Sequence, residues 1–243
     1  MTSYPNAAVQ FQRVNYSIDG VRILKDITGY FPKGEITTLI GPSGAGKTTL
    51  FRLCNGLKSP NSGEIHIKNE KIEAYEPVKL RRNVAIALQS ATMLSGSVQK
   101  NLAMPLTLQG KQLSEERAQE LMRMVDLDPS FLRKNSKDLS GGQRQKLSIA
   151  RTLVNQPEIL LLDEITSSLD RVSQQDIEAL IKQINQKYGT TIIWITHNLQ
   201  QARTIGAFTW VMMDGKVIES GKSDLLDDPE NLEVKRFVKG ELE

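Results

Sequence analysis

The sequence predicts an α/β fold: a mostly parallel sheet covered by helices on both sides, with antiparallel strands near the N-terminus and an inserted helical lobe. Three observations predict it. Apolar runs of strand length, residues 159–162 and 191–196, alternate with segments of helical period, and strands joined through helices run parallel. Another buried run, residues 35–40, leads through a Gly-rich loop into a helix with an apolar face. From about residue 91 to residue 154 the pattern is mainly helical, so this stretch reads as an insert between two parts of the sheet.

Each element follows from local rules. Val9, Phe11, Val14, Tyr16 and Ile18 are separated by polar residues and predict a strand that turns at Asp19-Gly20, with residues 21–27 returning. Pro32-Lys33-Gly34 punctuates before the strand 35–40. The helix from about Lys47 carries Leu50, Phe51, Leu53, Cys54 and Leu57 on its apolar face and ends at Gly56 and Pro60. A short hairpin is expected over residues 63–72. Within the insert, Ala118, Leu121, Met122 and Val125 fall at helical spacing behind Ser114, a good N-cap, with Glu115 and Glu116 favourable to the helix dipole. Later, Ile177, Leu180, Ile181 and Ile184 mark one face of a helix that stops near Gly189. Met212 and Met213 belong to a late core strand, and the charged tail from Asp224 predicts one or two surface helices.

Composition narrows the function. The chain has 243 residues, 39% hydrophobic and 24% charged, which excludes a wholly disordered chain. The net charge of +3 is too small to indicate nucleic acid, and no nucleic-acid partner is expected. A single cysteine, Cys54, excludes an internal disulfide and a multi-cysteine metal cage, and fits a reducing cytoplasm. No apolar run approaches the roughly 18 residues of a membrane span, and residues 1–10 lack the pattern of a signal peptide. Action at a membrane would therefore pass through another chain. The Lys79, Arg81, Arg82 cluster reads as a solvated face, and Cys54 as packing.

The chemistry lies in three segments. Gly41-Pro42-Ser43-Gly44-Ala45-Gly46-Lys47-Thr48 matches the P-loop pattern between a strand and a helix. Glycines allow backbone N–H groups to curl around phosphate oxygens, and the helix N-terminus adds positive potential. Lys47 suits the β- and γ-phosphates and Thr48 suits Mg²⁺, with Thr49 following in the same phosphate-facing turn. Second, the apolar run 159–162 ends in Asp163 and Glu164, two carboxylates at the C-terminal edge of the sheet. Asp163 suits Mg²⁺ and Glu164 a general base that polarises the attacking water. Third, Leu139-Ser140-Gly141-Gly142-Gln143 opens a helix running on through Arg144, Leu147, Ala150 and Val154. Its N-terminus is a second phosphate-binding surface, and one nucleotide cannot easily need both from one molecule. Two copies facing head to tail would use all four surfaces.

With these segments in this order, the chain resembles the nucleotide-binding subunits of ATP-binding cassette (ABC) transporters from about Val9 to about Gly221. The resemblance implies a P-loop NTPase of the ABC ATPase fold: a RecA-like core, an antiparallel β-subdomain and an inserted α-helical subdomain. Residues 1–243 would form one such domain, with about 1–90 and 155–243 as core and β-subdomain and about 91–154 as the helical subdomain. It implies ATP and Mg²⁺ as ligands, hydrolysis of ATP, and a homodimer sandwiching two ATPs between one copy's P-loop and the other's Ser140 to Gln143. By position, Gln89 matches the glutamine that contacts Mg²⁺ or the attacking water, Asp170 the residue communicating across the dimer, and His197 the histidine contacting the γ-phosphate. Tyr16 matches the aromatic residue stacking on adenine.

Other partners implied are an integral membrane permease and a solute-binding protein, with the chain peripheral on the cytoplasmic face of the membrane. Departures exist: Ile165 stands where proline is usual after the two acids, and Asn198 where Asp is commoner after the histidine. The segment with Asp228-Pro229-Glu230 is similar to phosphate and polar amino acid importer subunits, while Asp163-Glu164-Ile165-Thr166-Ser167 is similar to bacterial iron-export subunits. An inorganic ion, phosphate or iron, is the expected cargo. The alternative is a soluble ABC ATPase acting on a macromolecular complex, although neither a second cassette nor a long coiled coil is present in the sequence.

Overall fold

The structure, a computed structural model, describes residue 4 and residues 6–241. Strands β1 (Ala7–Ile18) and β2 (Val21–Pro32) form the first hairpin, turning at Asp19 and Gly20, whose φ values of 49° and 80° suit a tight two-residue turn. The return strand is longer than the expected 21–27 and reaches Pro32, because Leu24, Ile27 and Phe31 all bury their side chains. β3 (Ile36–Ile40) leads into helix α1 (Lys47–Cys54). The helix stops earlier than Leu57, which is 55% exposed: Gly56 takes φ 66°, a left-handed conformation that ends the helix. β4 (Ser62–Ile67) and β5 (Glu70–Lys71) make the second hairpin, and β1, β2, β4 and β5 form one antiparallel sheet in the order β2-β1-β4-β5.

Helix α2 (Pro77–Asn83) and strand β6 (Val84–Ala87) come next. The sequence reading did not include α2. Its signal was Glu76-Pro77: the Glu76 carboxylate accepts from the N–H groups of Val78 and Lys79, and proline needs no N–H at the first helical position. The insert holds α3 (Val98–Thr107), α4 (Glu115–Met124) and α5 (Gly141–Leu153). Ser114 caps α4 as expected, accepting from Arg117. β7 (Ile159–Asp163), α6 (Arg171–Tyr188), β8 (Thr191–Ile195), α7 (Leu199–Ile205), β9 (Phe208–Met213), β10 (Lys216–Lys222) and α8 (Leu232–Val238) complete the chain.

The second sheet has the order β10-β9-β3-β8-β7-β6, parallel throughout except for the antiparallel edge strand β10. Residues of the central strands divide between two cores by alternation. Leu160, Leu162, Ile192 and Trp194 pack with Leu102, Leu121, Leu147 and Ile181, so the helical insert shares one core with this face. Leu161, Ile193 and Ile195 pack with Phe11, Phe31, Leu50, Phe51 and Trp210, which seats the antiparallel sheet and α1 on the other face. Each fully buried aliphatic side chain of this kind contributes about 2 kcal/mol. A third core joins Ile40, Val211 and Met213 to Leu226 and Val234. The tail is therefore not purely a surface feature, since α8 buries Val234 in that core.

Candidate active site

Loops at the C-terminal ends of four neighbouring parallel strands meet at one edge of the sheet: Gly41 to Gly46 after β3, His197 after β8, Asp163-Glu164 at β7 and Gln89 after β6. This is where open α/β sheets bind ligands. The Gly-rich loop turns through Gly41, Gly44 and Gly46 at φ 143°, 80° and 95°. No side chain caps α1, whose N-cap is Gly46, so the first N–H groups of this helix have no intrahelical acceptor. Lys47 is 5% exposed, and its Nζ donates to the carbonyls of Gly41 at 2.7 Å and Pro42 at 2.8 Å. Burial lowers its pKa, opposed by the charges of Glu164 and Asp163.

The Thr48 hydroxyl donates to Asp163 Oδ1 at 3.2 Å, joining residues 115 positions apart. Asp163 is 8% exposed, and burial raises its pKa above the ordinary carboxylate value, with Thr48 acting in the opposite direction. Two hard oxygen donors side by side, one of them a poorly solvated carboxylate, fit a small divalent cation such as Mg²⁺, with phosphate and water completing its shell. The raised pKa has a sign that can be checked. Ionised Asp163 is disfavoured by folding, so its cost is present at neutral pH and vanishes below the unfolded value of about 4. Asp163→Asn keeps the acceptor for Thr48 and is expected to raise the melting temperature of the nucleotide-free chain at pH 7. That gain should disappear when melting is repeated near pH 3.5; a lower melting temperature at pH 7 would show that the carboxylate stabilises the fold.

Glu164 takes φ 51°, in the left-handed region, and its Oε1 lies 2.5 Å from His197 Nε2. The turn after Glu164 is closed by Ser167, whose Oγ donates to the Glu164 carbonyl at 2.9 Å. Gln89 Nε2 donates to the same Ser167 Oγ at 2.9 Å. The structure thus brings Lys47, Thr48, Asp163, Glu164, His197 and Gln89 to one edge, with Gln89 held on Ser167. Tyr16 sits on β1 opposite Leu24, whose side chain closes against Gly46. The Tyr16 hydroxyl accepts from Lys58 Nζ at 2.8 Å, and the ammonium lies 5.2 Å from the ring centroid.

The second Gly-rich segment is built differently. Ser140 Oγ accepts from the Gln143 N–H at 3.2 Å, and Gln143 Oε1 accepts from the Ser140 N–H at 3.0 Å, a reciprocal cap on α5. This leaves the Gly141 and Gly142 N–H groups and the Ser140 hydroxyl proton available. Gly142 lies against Ser173 and Gly141 against Leu169. Asp170 caps α6, accepting from the Ser173 N–H at 3.0 Å and Oγ at 2.7 Å, and these bonds hold its pKa low. Glu164, Ser167 and His197 line one cavity and Ser140, Gly142, Gln143 and Lys146 another, with no residue in common.

The profile of the family described as ABC transporter matches residues 24–167, more than half of the chain. The chain belongs to the ABC transporter family. It is 42% identical over 238 residues, 96% of this chain and 94% of the relative, to the Bacillus subtilis protein YjkB, whose name places it among ABC transporter ATP-binding proteins. It is 40% identical over 227 residues to the methionine import ATP-binding protein MetN 2 of Bacillus licheniformis, covering 90% of this chain and 66% of that longer relative. Among solved structures, cbiO1 of Clostridium perfringens, part of the ABC transporter complex cbiONQ, superposes with TM-score 0.85 and 28% identity over 95% of this chain and 94% of its own. The ATP-binding cassette MJ0796, dimeric with ADP and Pi, superposes with TM-score 0.77 and 30% identity over 88% of this chain and 98% of its own.

The protein is thus an ABC ATPase, an ATP-binding subunit with the P-loop fold. Among its described residues no helix is long and apolar enough to cross a membrane. Sequence reasoning did not single out Lys58 against Tyr16, Ser167 as acceptor for Gln89, or Gln145, whose amide reaches the Leu88 carbonyl beside Gln89 at 3.5 Å. Each is a lone polar residue whose partner is distant in sequence, and no local pattern marks it.

Proposed function

We propose that this ABC ATPase closes head to tail on a second copy around two MgATP and drives a separate membrane permease from the cytoplasmic face. One observation carries the reading: a single chain has two helix N-termini fit for phosphate, at Gly46 and at Ser140, and the cavity lined by Ser140, Gly142 and Gln143 includes no residue of Gly41 to Thr48 and neither Asp163, Glu164 nor His197. A nucleotide seated on Gly41 to Thr49 would reach Ser140 and Gly141 to Gln143 of the second copy, an isologous two-fold contact. Tyr16 would stack on adenine, and Asp170, at the edge of the second surface, would carry the contact across the dimer.

Hydrolysis then follows from the chain's own groups. Lys47 exchanges its carbonyl partners for β- and γ-phosphate oxygens. Thr48 and Asp163 would hold Mg²⁺ with Gln89 nearby, and the ion, when bound, would supply charge neutralisation to the phosphates. Glu164 takes a proton from the water that attacks the γ-phosphorus, the bond to the β-phosphate oxygen breaks, and ADP departs. His197 orients Glu164 and donates to the γ-phosphate, while the Ser140 hydroxyl of the second copy stabilises the developing charge. With the γ-phosphate gone, nothing joins the two copies through the nucleotide. Transport specificity belongs to the permease, and no residue here is assigned to cargo. The methionine importer among the relatives favours a small organic solute, served by a solute-binding protein, over the inorganic ion expected from the sequence.

The test is complementation. Lys47→Ala and Ser140→Arg chains should each be inactive alone. Mixed, half of the dimers would pair the two variants, each with one intact composite site, so about a quarter of wild-type ATPase activity should return. If both helix starts act on one nucleotide within one chain, no activity returns on mixing.

A further inference from the structure

Gln201 lies on α7, four residues after His197, and is 2% exposed. Its Nε2 donates to Glu178 Oε1 at 2.8 Å and to Thr166 Oγ1 at 3.3 Å. Its backbone N–H donates to Asn198 Oδ1 at 3.1 Å, so the residue is fixed at both ends. Among the described residues, its amide oxygen accepts no hydrogen bond. Burying an unpartnered carbonyl oxygen is unfavourable, and an apolar side chain of the same length would fill the space without that cost. What the amide supplies is its two donated bonds.

Those bonds join three elements. Thr166 is two residues beyond Glu164, Glu178 is on α6, and Gln201 is on the helix that follows His197. Gln174, one turn before Glu178 on α6, donates to the carbonyls of Thr166 at 3.2 Å and Leu169 at 2.9 Å. The turn after Glu164 is therefore gripped from α6 by Gln174 and from α7 by Gln201. Glu164 needs such support, because its backbone is in the left-handed region that a side chain larger than glycine rarely adopts.

We infer that Gln201 is a positioning residue for hydrolysis: by tying α7 to the segment after Glu164, it sets the approach of His197 to the Glu164 carboxylate. The inference rests on the roles proposed above for Glu164 and His197. It assigns to Gln201 no contact with ATP, only control of the relative placement of Glu164, which acts on the attacking water, and His197, which meets the γ-phosphate.

The experiment is steady-state ATP hydrolysis by the full chain with MgATP. Gln201→Met preserves length and burial but removes both donated bonds, and should lower kcat ~10-fold while KM for ATP stays within ~2-fold. Glu178→Leu should reproduce the loss, Glu178→Gln should retain wild-type turnover because it still offers an acceptor, and the Gln201→Met, Glu178→Leu pair should lose no more than either alone. Wild-type kcat in Gln201→Met overturns the inference. So does a parallel fall of kcat, ATP affinity and melting temperature, the mark of a merely structural residue. If Gln201→Met does not fold, Glu178→Leu against Glu178→Gln decides, and equal turnover in those two overturns it. Glu164→Gln assayed alongside separates the readings: fast turnover there removes the proposed base, whereas an inactive Glu164→Gln beside a wild-type Gln201→Met removes only the role of Gln201.

Discussion

Glu164→Gln is expected to lower ATP turnover by ~10²–10⁴-fold while leaving ATP binding intact. The substitution is nearly isosteric. Glutamine can still bond His197, which lies 2.5 Å from the carboxylate, and it meets the same left-handed backbone at φ 51°. Folding and the Gly41 to Thr49 loop are thus unchanged, and what is lost is the proton acceptor. The consequence extends beyond rate. When the γ-phosphate is not cleaved, the bridge between the two copies persists, and the variant should elute as a dimer with ATP and as a smaller species with ADP in size-exclusion chromatography. Turnover near the wild-type rate would remove Glu164 from the base role, and a monomer at saturating ATP would remove the head-to-tail arrangement.

The second large effect is on folding. Gly41 lies at φ 143°, and a Cβ there would fall 1.8 Å from the Met212 carbonyl oxygen and 2.9 Å from its carbonyl carbon. The obstacle is backbone in the neighbouring parallel strand β9, held in register by Ile40 opposite Val211, and no side chain can rotate aside. Gly41→Ala must push β3 and β9 apart where the phosphate loop begins. We expect a loss of ~3 kcal/mol or more, combining overpacking with backbone strain. In a chain this long that lowers the melting temperature by ~10 °C. Gly44 is the internal control. It also takes a positive φ, 80°, yet nothing lies within 4 Å of its Cβ position. Gly44→Ala should cost only ~1 kcal/mol. Equal melting temperatures for the two variants would show that the clash at Met212 is relieved without cost.

These two substitutions mark the range of what the sequence disclosed. Glu164 was legible because the apolar run into Asp163-Glu164 is itself the signal: β7 buries all five of its residues and ends on the acid. Gly41 was legible as part of a phosphate loop, but its approach to Met212 was not, because Met212 lies 171 residues away and β9 pairs with β3 only in the folded sheet. The helix over residues 115–124 was legible from its N-cap and period, whereas α2 was passed over because its apolar face is a single buried residue, Leu80. The end of α1 was legible at Gly56, whose left-handed conformation breaks the helix, but Leu57 was wrongly assigned to the apolar face, because the apolar periodicity continues past the glycine while the helix does not.

Sequence by itself determined the order and chemistry of the nucleotide-binding segments, since a loop that wraps phosphate needs its glycines, lysine and hydroxyl within one short run. It also determined the alternation of strands and helices, which is written in local periodicity. Tertiary structure decided which groups meet: Thr48 with Asp163, Glu164 with His197, Gln89 with Ser167, and Gln201 between Thr166 and Glu178. Such pairs carry no local signature. A hydrogen bond between residues 23 to 115 positions apart exists only once the parallel strands have brought their ends to one edge of the sheet.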